Sequence, residues 1–236
     1  NKELLGAVAA ISFVLSPVAG QAAMIVIDEF STVQRVQDPP PSLDPTNSEV
    51  MAPEALGGWR DLAVTQKSGN TGEKTTLNGS GEILSFSNDD EATGIGSIVY
   101  DGNDGDATTV DIDGLGGLDF LIGPAPFFNF DVVSFEKDLD VTINAWDMDG
   151  AATTYFETLP PFGAFSPVLP LTDFSNPAFD WTRVGALEFQ VESNTAGYDG
   201  SIDSITLQST IPLPAPAFLM LGGLGALSLA RFRHKA

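Results

Sequence analysis

Short alternations of apolar and polar residues recur along the middle of the chain and predict a set of β-strands. The pattern is clearest at 187–192, where Leu, Phe and Val alternate with Glu, Gln and Glu. Because successive side chains of a strand point to opposite faces, this period of two predicts one face in the core and one in water. The candidate strands are 24–30, 61–66, 82–87, 97–100, 108–112, 118–122, 128–135, 140–146, 153–157, 186–192 and 202–208.

Turn signals separate these strands and favour an all-β fold. They include Asn78-Gly79, Asp101-Gly102, Asp149-Gly150 and Asp199-Gly200, and such pairs are typical of hairpins. The segment 37–53, with four prolines before Thr46, is interpreted as an irregular loop. Many short strands and no convincing amphipathic helix predict an antiparallel β-sandwich of the jelly-roll type.

The first residues of the chain have the pattern of a secretory signal peptide. An apolar stretch at 4–20 follows Lys2. Cleavage after Ala22 would place small residues at the positions that signal peptidase reads. A buried N-terminal helix is the alternative, but Pro17 would interrupt it. We therefore expect residues 1–22 to direct export through the Sec machinery and to be removed by signal peptidase.

The other end of the chain predicts a membrane helix, with a buried core helix as the alternative. Three prolines, at 212, 214 and 216, lead into an uncharged apolar segment, 215–230, which precedes a basic end. At about 1.5 Å per residue, its 16 residues form a helix of roughly 24 Å, just able to span the hydrocarbon core. The positive-inside tendency would keep the basic end in the cytoplasm and everything before Ile211 outside. The basic residues are Arg231, Arg233 and Lys235.

This tail resembles the PEP-CTERM class of bacterial sorting signals in its VPLPA-CTERM form. A proline motif comes first, then a glycine-bearing apolar helix, then basic residues, although Phe232 and His234 interrupt the basic cluster and Ile replaces the family's usual first Val. The resemblance implies cleavage near the motif by an exosortase, a membrane-embedded protease or transpeptidase. It also implies a Gram-negative bacterium that makes exopolysaccharide. The motif residues are Ile211, Pro212, Leu213, Pro214 and Ala215.

Composition and charge exclude several classes of function. With 32 acidic and 10 basic residues the formal net charge is −22, which would repel nucleic-acid phosphates. The chain has no cysteine, and its one histidine, His234, lies in the tail. Disulfides, zinc–thiolate sites and a Ser-His-Asp triad in the body are therefore excluded. Residues 23–210 form an ectodomain of single-domain size with 6 basic and 31 acidic side chains. Such a surface would bind acidic polysaccharide only through bridging divalent ions.

Three segments of the ectodomain are similar to the first and last strands of galactose-binding-like, carbohydrate-binding jelly rolls. They are 27–30 (IDEF), 180–189 (DWTRVGALEF) and 201–207 (SIDSITL). In such modules a structural calcium often joins these strands, so the resemblance implies calcium at Asp28, Glu29 and Asp203. Asp203 also alternates in phase with Ile205 and Leu207. This phase predicts that its carboxylate faces inward and needs a partner.

Other clusters have simpler interpretations. Three Asp-Gly-rich segments, 101–106, 111–114 and 147–150, depart from EF-hand spacing and are interpreted as acidic hairpin turns. The acidic residues offer so many carboxylate pairs that none singles out a glycosidase site. Tryptophans and tyrosines are typical of core packing. Trp146 is out of phase with the apolar residues of its strand and is the candidate for an exposed sugar-stacking residue.

These features predict a non-enzymatic, exported surface or extracellular-matrix protein. The expected path is export, transient anchoring in the inner membrane by the C-terminal helix, and processing by an exosortase-type protease. The alternative is a carbohydrate-binding module that binds exopolysaccharide through exposed aromatic residues. A secreted hydrolase with two catalytic carboxylates is a third hypothesis.

Overall fold

Two antiparallel β-sheets form the body of the protein in the computed structural model, which describes residues 23–39, 46–161 and 163–210. Within these residues the chain forms 13 strands and two short 3-10 turns, Leu56–Gly58 and Leu171–Asp173. The strands are β1 Met24–Asp28, β2 Gln34–Asp38, β3 Asn47–Met51, β4 Trp59–Ser68, β5 Thr75–Ser80, β6 Ile83–Asn88, β7 Thr93–Tyr100, β8 Phe127–Phe135, β9 Leu139–Asp147, β10 Ala152–Leu159, β11 Val168–Pro170, β12 Val184–Ser193 and β13 Asp199–Gln208.

Strands from the two ends of the sequence are interleaved in both sheets. The seven-stranded sheet has the order β11-β8-β13-β6-β5-β2, and β1 pairs with the second half of β13. The six-stranded sheet has the order β10-β9-β12-β7-β4-β3. Neighbours such as β7 with β12 and β8 with β13 are far apart in sequence, a connectivity typical of Greek-key sandwiches. The prediction of an all-β fold built from antiparallel sheets is confirmed.

An aromatic core lies between the inner faces of the two sheets. The ring of Phe189 on β12 lies 5.6 Å, centroid to centroid, from the rings of Phe128 and Phe130 on β8. Both pairs are edge-to-face and join one sheet to the other, and each contributes about 0.5–1.5 kcal/mol beyond the burial of its area. Tyr100, Tyr198 and other large side chains are fully buried around them. Core packing, the interpretation given to most of the tyrosines and tryptophans, is therefore confirmed for these two.

Some local predictions are wrong, and they fail where alternation is weak. The expected strands at 108–112 and 118–122 lie in the connection between β7 and β8, where Leu118 makes only an isolated bridge to Val184. The segment interpreted as an irregular loop contains β3 and the end of β2. The polar sequence NSEVM of β3 is only partly buried at one edge of its sheet, so it shows little alternation. The Asn78-Gly79 and Asp199-Gly200 pairs lie inside β5 and β13 rather than in turns.

The segments predicted to direct export lie outside the described residues. They are the signal peptide 1–22, the sorting motif 211–215, the membrane helix 215–230 and the basic end 231–235. Across the residues that the structure does describe, no helix is long and apolar enough to cross a membrane.

Candidate functional site

The outer face of the six-stranded sheet is the candidate binding surface, and we call it the polar face. It carries the side chains that alternate with core residues along β4, β7, β12, β9 and β10. One row of directly opposed residues crosses these five strands: Asp61, Val99, Glu188, Asn144 and Thr154. The next row consists of Ala63, Ser97, Gln190, Thr142 and Phe156.

Glu188 is the centre of a hydrogen-bonded ladder on the polar face. Its Oε1 accepts hydrogen bonds from Ser97 Oγ at 2.7 Å and Gln190 Nε2 at 2.9 Å. Its Oε2 accepts from Asn144 Nδ2 at 2.9 Å, and the Thr154 hydroxyl donates to Asn144 Oδ1 at 2.8 Å. The ladder crosses four strands and fixes planar carboxylate and amide groups, the kind of polar group that orients a ligand in a binding site.

Two aromatic side chains lie on the same face. Phe156 on β10 is 62% exposed, an unusual position for a phenylalanine. Trp146 on β9 is partly buried, and its directly opposed neighbours on both sides are the small residues Ala152 and Ala186. Sequence reasoning singled out Trp146 but missed Phe156. The pair Tyr155-Phe156 puts an aromatic residue on each face of its strand, so alternation did not show which ring faces outward.

A groove of about 340 Å³ opens on the β4 and β7 side of the polar face. It is lined by sheet residues that include Ser97 and Glu188, by Asn47 at the start of β3, and by residues 107–110. The last of these belong to the long β7–β8 connection, residues 101–126. This connection therefore forms part of the groove as well as linking the two sheets.

Three carboxylates, which we call the acidic cluster, converge beside this groove. One oxygen from each of Asp61, Asp101 and Asp104 lies within 4.8 Å of the others. Asp61 and Asp101 are each 1% exposed, and Asp104 is exposed. Burial, followed by the charges of Asp101 and Glu49, raises the pKa of Asp61 to about 8. Burial also raises the pKa of Asp101 to about 6, although a hydrogen bond from the Asp111 N–H opposes this effect.

The residues expected to bind calcium lie elsewhere in the fold. Asp28 is fully buried and accepts four hydrogen bonds from three donor groups, whereas Glu29 and Asp203 are exposed. The inward orientation predicted for Asp203 is wrong. Register shifts against β8 on both sides of Ile202 interrupt the alternation that holds further along β13, as a β-bulge does. Ile202 therefore faces the core in the place where the pattern put Asp203.

Asp28 is the acceptor in a buried charge network with Arg60, whose side chain is fully buried. Arg60 Nη1 lies 3.1 Å from both oxygens of Asp28. The Phe30 N–H and the Tyr100 hydroxyl donate to the same carboxylate at 2.7 and 2.9 Å. Arg60 Nε also donates to Gln34 Oε1 at 2.8 Å. The fold thus supplies a full set of partners to this buried carboxylate.

The three acidic segments interpreted as hairpin turns have different structures. Segment 147–150 does close the β9–β10 hairpin, and Asp147 Oδ1 accepts hydrogen bonds from the N–H groups of Asp149 and Ala151 at 3.0 and 2.9 Å. Segments 101–106 and 111–114 are parts of the β7–β8 connection and not hairpin turns. The first of them supplies two members of the acidic cluster.

Comparisons with known proteins return distant likenesses only. No family model and no curated protein matches the chain. The family 11 carbohydrate-binding module of the cellulase Lic26A-Cel5E of Clostridium thermocellum is 14% identical with a TM-score of 0.39, over 81% of this chain and 97% of that one. The carbohydrate-binding module TmCBM61, solved with β-1,4-galactotriose, is 14% identical with a TM-score of 0.34, over 76% and 89%. The agarase AgWH50C is 13% identical with a TM-score of 0.45, and the chain spans 80% of its own length but only 25% of the agarase.

Proposed function

We propose that the chain is an exported, non-catalytic protein that binds a neutral polysaccharide on the polar face of its six-stranded sheet. The observation that supports this function is the combination of Phe156 and Trp146 with the Glu188 ladder on one outward surface. Aromatic rings offer an apolar platform, and the planar polar groups beside them orient a ligand that has both apolar and hydroxyl faces. The net charge of −22 favours a neutral glycan over an acidic one.

The spacing of these groups suits a short stretch of a glycan chain. Strands in a sheet lie about 4.8 Å apart, so Phe156 on β10 and Gln190 on β12, two strands away in the same row, are separated by roughly 10 Å. A sugar ring stacked on Phe156 would place the next ring over β9 and β12. The hydroxyls of that second ring would meet the ladder around Glu188.

The placement of the carboxylates supports a binding role rather than hydrolysis. A glycosidase needs two carboxyl groups on either side of the scissile bond. Asp61 and Asp101 have the strongly raised pKa values that such enzymes use, but both side chains are 1% exposed. Glu188, on the polar face, is held by three hydrogen-bond donors.

The two ends of the sequence support export and sorting. The signal-peptide pattern of 1–22 and the tail at 211–236 would carry the ectodomain to the cell surface or extracellular matrix of a Gram-negative bacterium. An exosortase-type membrane protease is the proposed partner for the tail. Exopolysaccharide is the proposed ligand of the ectodomain.

Replacing Phe156 with Ala should weaken binding to neutral polysaccharide about tenfold or more. Stacking on an aromatic side chain contributes on the order of 1–3 kcal/mol, and 1.4 kcal/mol corresponds to a factor of ten in Kd. Affinity electrophoresis and calorimetry with mixed-linkage β-glucan, β-1,4-galactan and agarose, beside acidic alginate, would measure the change. Trp146→Ala should also weaken binding with only a small change in Tm. A collapse of its Tm would show that the indole is a packing residue.

Val168→Ala is the matched control for Phe156→Ala. Val168 is 55% exposed on edge strand β11 of the other sheet, as Phe156 is exposed on edge strand β10 of its own. The control variant should bind every glycan like the wild type. If Phe156→Ala and Val168→Ala bind each neutral glycan equally well, the ligand lies away from the polar face. If the wild type binds none of these glycans, the proposed function is rejected.

Replacing both Pro212 and Pro214 with Ala should leave full-length protein in the inner membrane. The proline motif and the following helix are expected to be read together by the exosortase, so loss of the motif blocks processing. Cell fractionation and the mass of the protein in the medium would measure this. Pro177→Ala, an exposed proline of the ectodomain, is the control and should be released normally. Normal release of the double variant would reject the exosortase hypothesis.

A further inference from the structure

The acidic cluster lies where two strands and a long connection meet. Asp61 belongs to β4, Asp101 directly follows β7, and Asp104 comes three residues later. Glu49 on β3 is directly opposed to Asp61 in the sheet. Alternation places Asp61 on the outer face of the sheet, yet it is only 1% exposed. A residue on the outer face can be buried this deeply only when another part of the chain covers it.

The carboxylate of Asp61 is buried without a hydrogen-bond donor among the described residues. Within 23–39, 46–161 and 163–210, neither of its oxygens has a hydrogen-bond partner, and the same holds for Oδ1 of Asp101 and Oε1 of Glu49. One oxygen of Asp61 belongs to the convergent set, so the side chain points into the cluster. The same fold gives the equally buried Asp28 four hydrogen bonds from three donor groups. A buried carboxylate with no partner is strongly unfavourable, so the cluster requires either a bound cation or a proton shared between Asp61 and Asp101.

We propose that Asp61, Asp101 and Asp104 form a binding site for one divalent cation, with calcium preferred. Calcium takes only oxygen ligands at about 2.3–2.6 Å, so two oxygens on opposite sides of one ion stand about 4.6–5.2 Å apart. The convergence of the three carboxylate oxygens within 4.8 Å fits this span. Magnesium demands a near-ideal octahedral shell at about 2.0–2.1 Å and is usually bound through only one or two carboxylates, so calcium suits a site of three carboxylates better. Zinc prefers nitrogen and sulfur ligands, and the chain has no cysteine and only His234 in its tail.

A cation at this position would fasten the β7–β8 connection to the sheet. The connection already docks closely here, because Asp101 Oδ2 accepts from the Asp111 N–H at 2.8 Å. A Cβ added to Gly114 would lie 1.3 Å from the backbone oxygen of Asp101, so only glycine permits this approach. Residues 107–110 of the same connection line the groove on the polar face. The site is independent of the glycan proposal, since its evidence and its test concern the cation alone.

The test is calorimetric titration of the chelator-stripped full-length protein with CaCl2, beside MgCl2. We expect one calcium site and weaker binding of magnesium. At a calcium concentration about 100 times the Kd, Tm should rise by about 5 to 10 °C over a NaCl control of equal ionic strength. Asp61→Asn should abolish the calcium heat and the rise in Tm. Asp104→Asn should weaken calcium binding at least tenfold, and because Asp104 is exposed this variant should fold normally.

Asp203→Asn is the matched control, because it removes an exposed acidic charge from β13 and lies outside the cluster. It should bind calcium like the wild type. If Asp203→Asn loses calcium binding while Asp61→Asn still binds calcium, the ion occupies the site first expected at Asp28, Glu29 and Asp203. This result would overturn the proposal. Equal rises in Tm with calcium and sodium would do the same, since they indicate simple screening. An absence of calcium heat in the wild type would leave the shared proton as the partner of Asp61 and would also overturn it.

Discussion

Arg60→Ala should destabilise the protein by about 3 to 5 kcal/mol, because it leaves a buried carboxylate without its counter-ion. The side chains of Arg60 and Asp28 are both 0% exposed, so water cannot replace the lost partner. The substitution also removes the hydrogen bond to Gln34 and the packing of the guanidinium over the ring of Phe30, 5.6 Å from its centroid. Urea unfolding at neutral pH would measure the loss.

A surface ion pair of this chain supplies the control. Arg183 Nη1 lies 2.7 Å from Asp149 Oδ2, but the two side chains are 48% and 71% exposed. Exposed pairs contribute about 0–1 kcal/mol, so Arg183→Ala should change the free energy of unfolding by no more than this. A loss in Arg60→Ala as small as the loss in Arg183→Ala would show that the buried network is not a stabilising element.

The double variant Arg60→Leu/Asp28→Leu would separate the ion pair from the hydrogen bonds around it. Replacing a buried ion pair by apolar residues is often neutral or stabilising. Here the recovery should be only partial, because the Phe30 N–H and the Tyr100 hydroxyl both lose their acceptor. The double variant should therefore be more stable than Arg60→Ala and less stable than the wild type.

This network also explains how polar residues join the two sheets. Arg60 lies on β4 of the six-stranded sheet, whereas Asp28 and Gln34 lie on β1 and β2 of the seven-stranded sheet. The aromatic contacts between β8 and β12 join the sheets at another place in the core. Asp28 belongs to the IDEF segment that resembles carbohydrate-binding modules. Its carboxylate has a structural role, because its oxygens accept hydrogen bonds from protein donors.

Alternation predicted most of the interior strands because each has one apolar face, but it missed β5, whose Asn78-Gly79 pair was interpreted as a turn. The strand 184–193 at the centre of the six-stranded sheet shows the pattern most clearly, and it is also the strand that presents Glu188 and Gln190 to the polar face. Two edge strands, β2 and β3, were missed for the converse reason. Strands β2 and β3 have polar sequences, and their pairing depends on neighbours far along the chain.

The acidic cluster could not be predicted from local sequence. Asp61 is the first residue of the candidate strand 61–66, and the alternation places it on the outward face. The local pattern therefore predicts that Asp61 is exposed to solvent. It is buried because a connection beginning 40 residues later covers it, which is a tertiary effect. The Asp-Gly-rich character of segment 101–106 was visible, but turn chemistry and ligand chemistry use the same residues. Only the three-dimensional convergence of Asp61 with this segment separates the two interpretations.

In the absence of divalent cations, the wild type should lose stability relative to Asp61→Asn as the pH rises from about 4 to about 8. The Asp61 carboxyl titrates near 3.8 when unfolded, whereas burial and the charges of Asp101 and Glu49 raise its pKa to about 8 in the folded protein. Between these values the folded state keeps a proton that the unfolded state has released, so the free energy of unfolding falls with rising pH. One pKa unit corresponds to about 1.4 kcal/mol, so the loss across this interval should amount to a few kcal/mol.

Asparagine at position 61 imitates the neutral carboxyl and removes this dependence. The groups that face Asp61 from β3, the end of β7 and the connection are Glu49, Asp101 and Asp104, all of them acidic. Urea unfolding in EDTA at several pH values would give the difference between the two proteins, which should grow up to about pH 8 and then level off. Asp113→Asn, an exposed acid of the same connection, corrects for general charge repulsion and should follow the wild type. If Asp61→Asn also follows the wild type at every pH, the Asp61 carboxyl does not retain its proton in the fold.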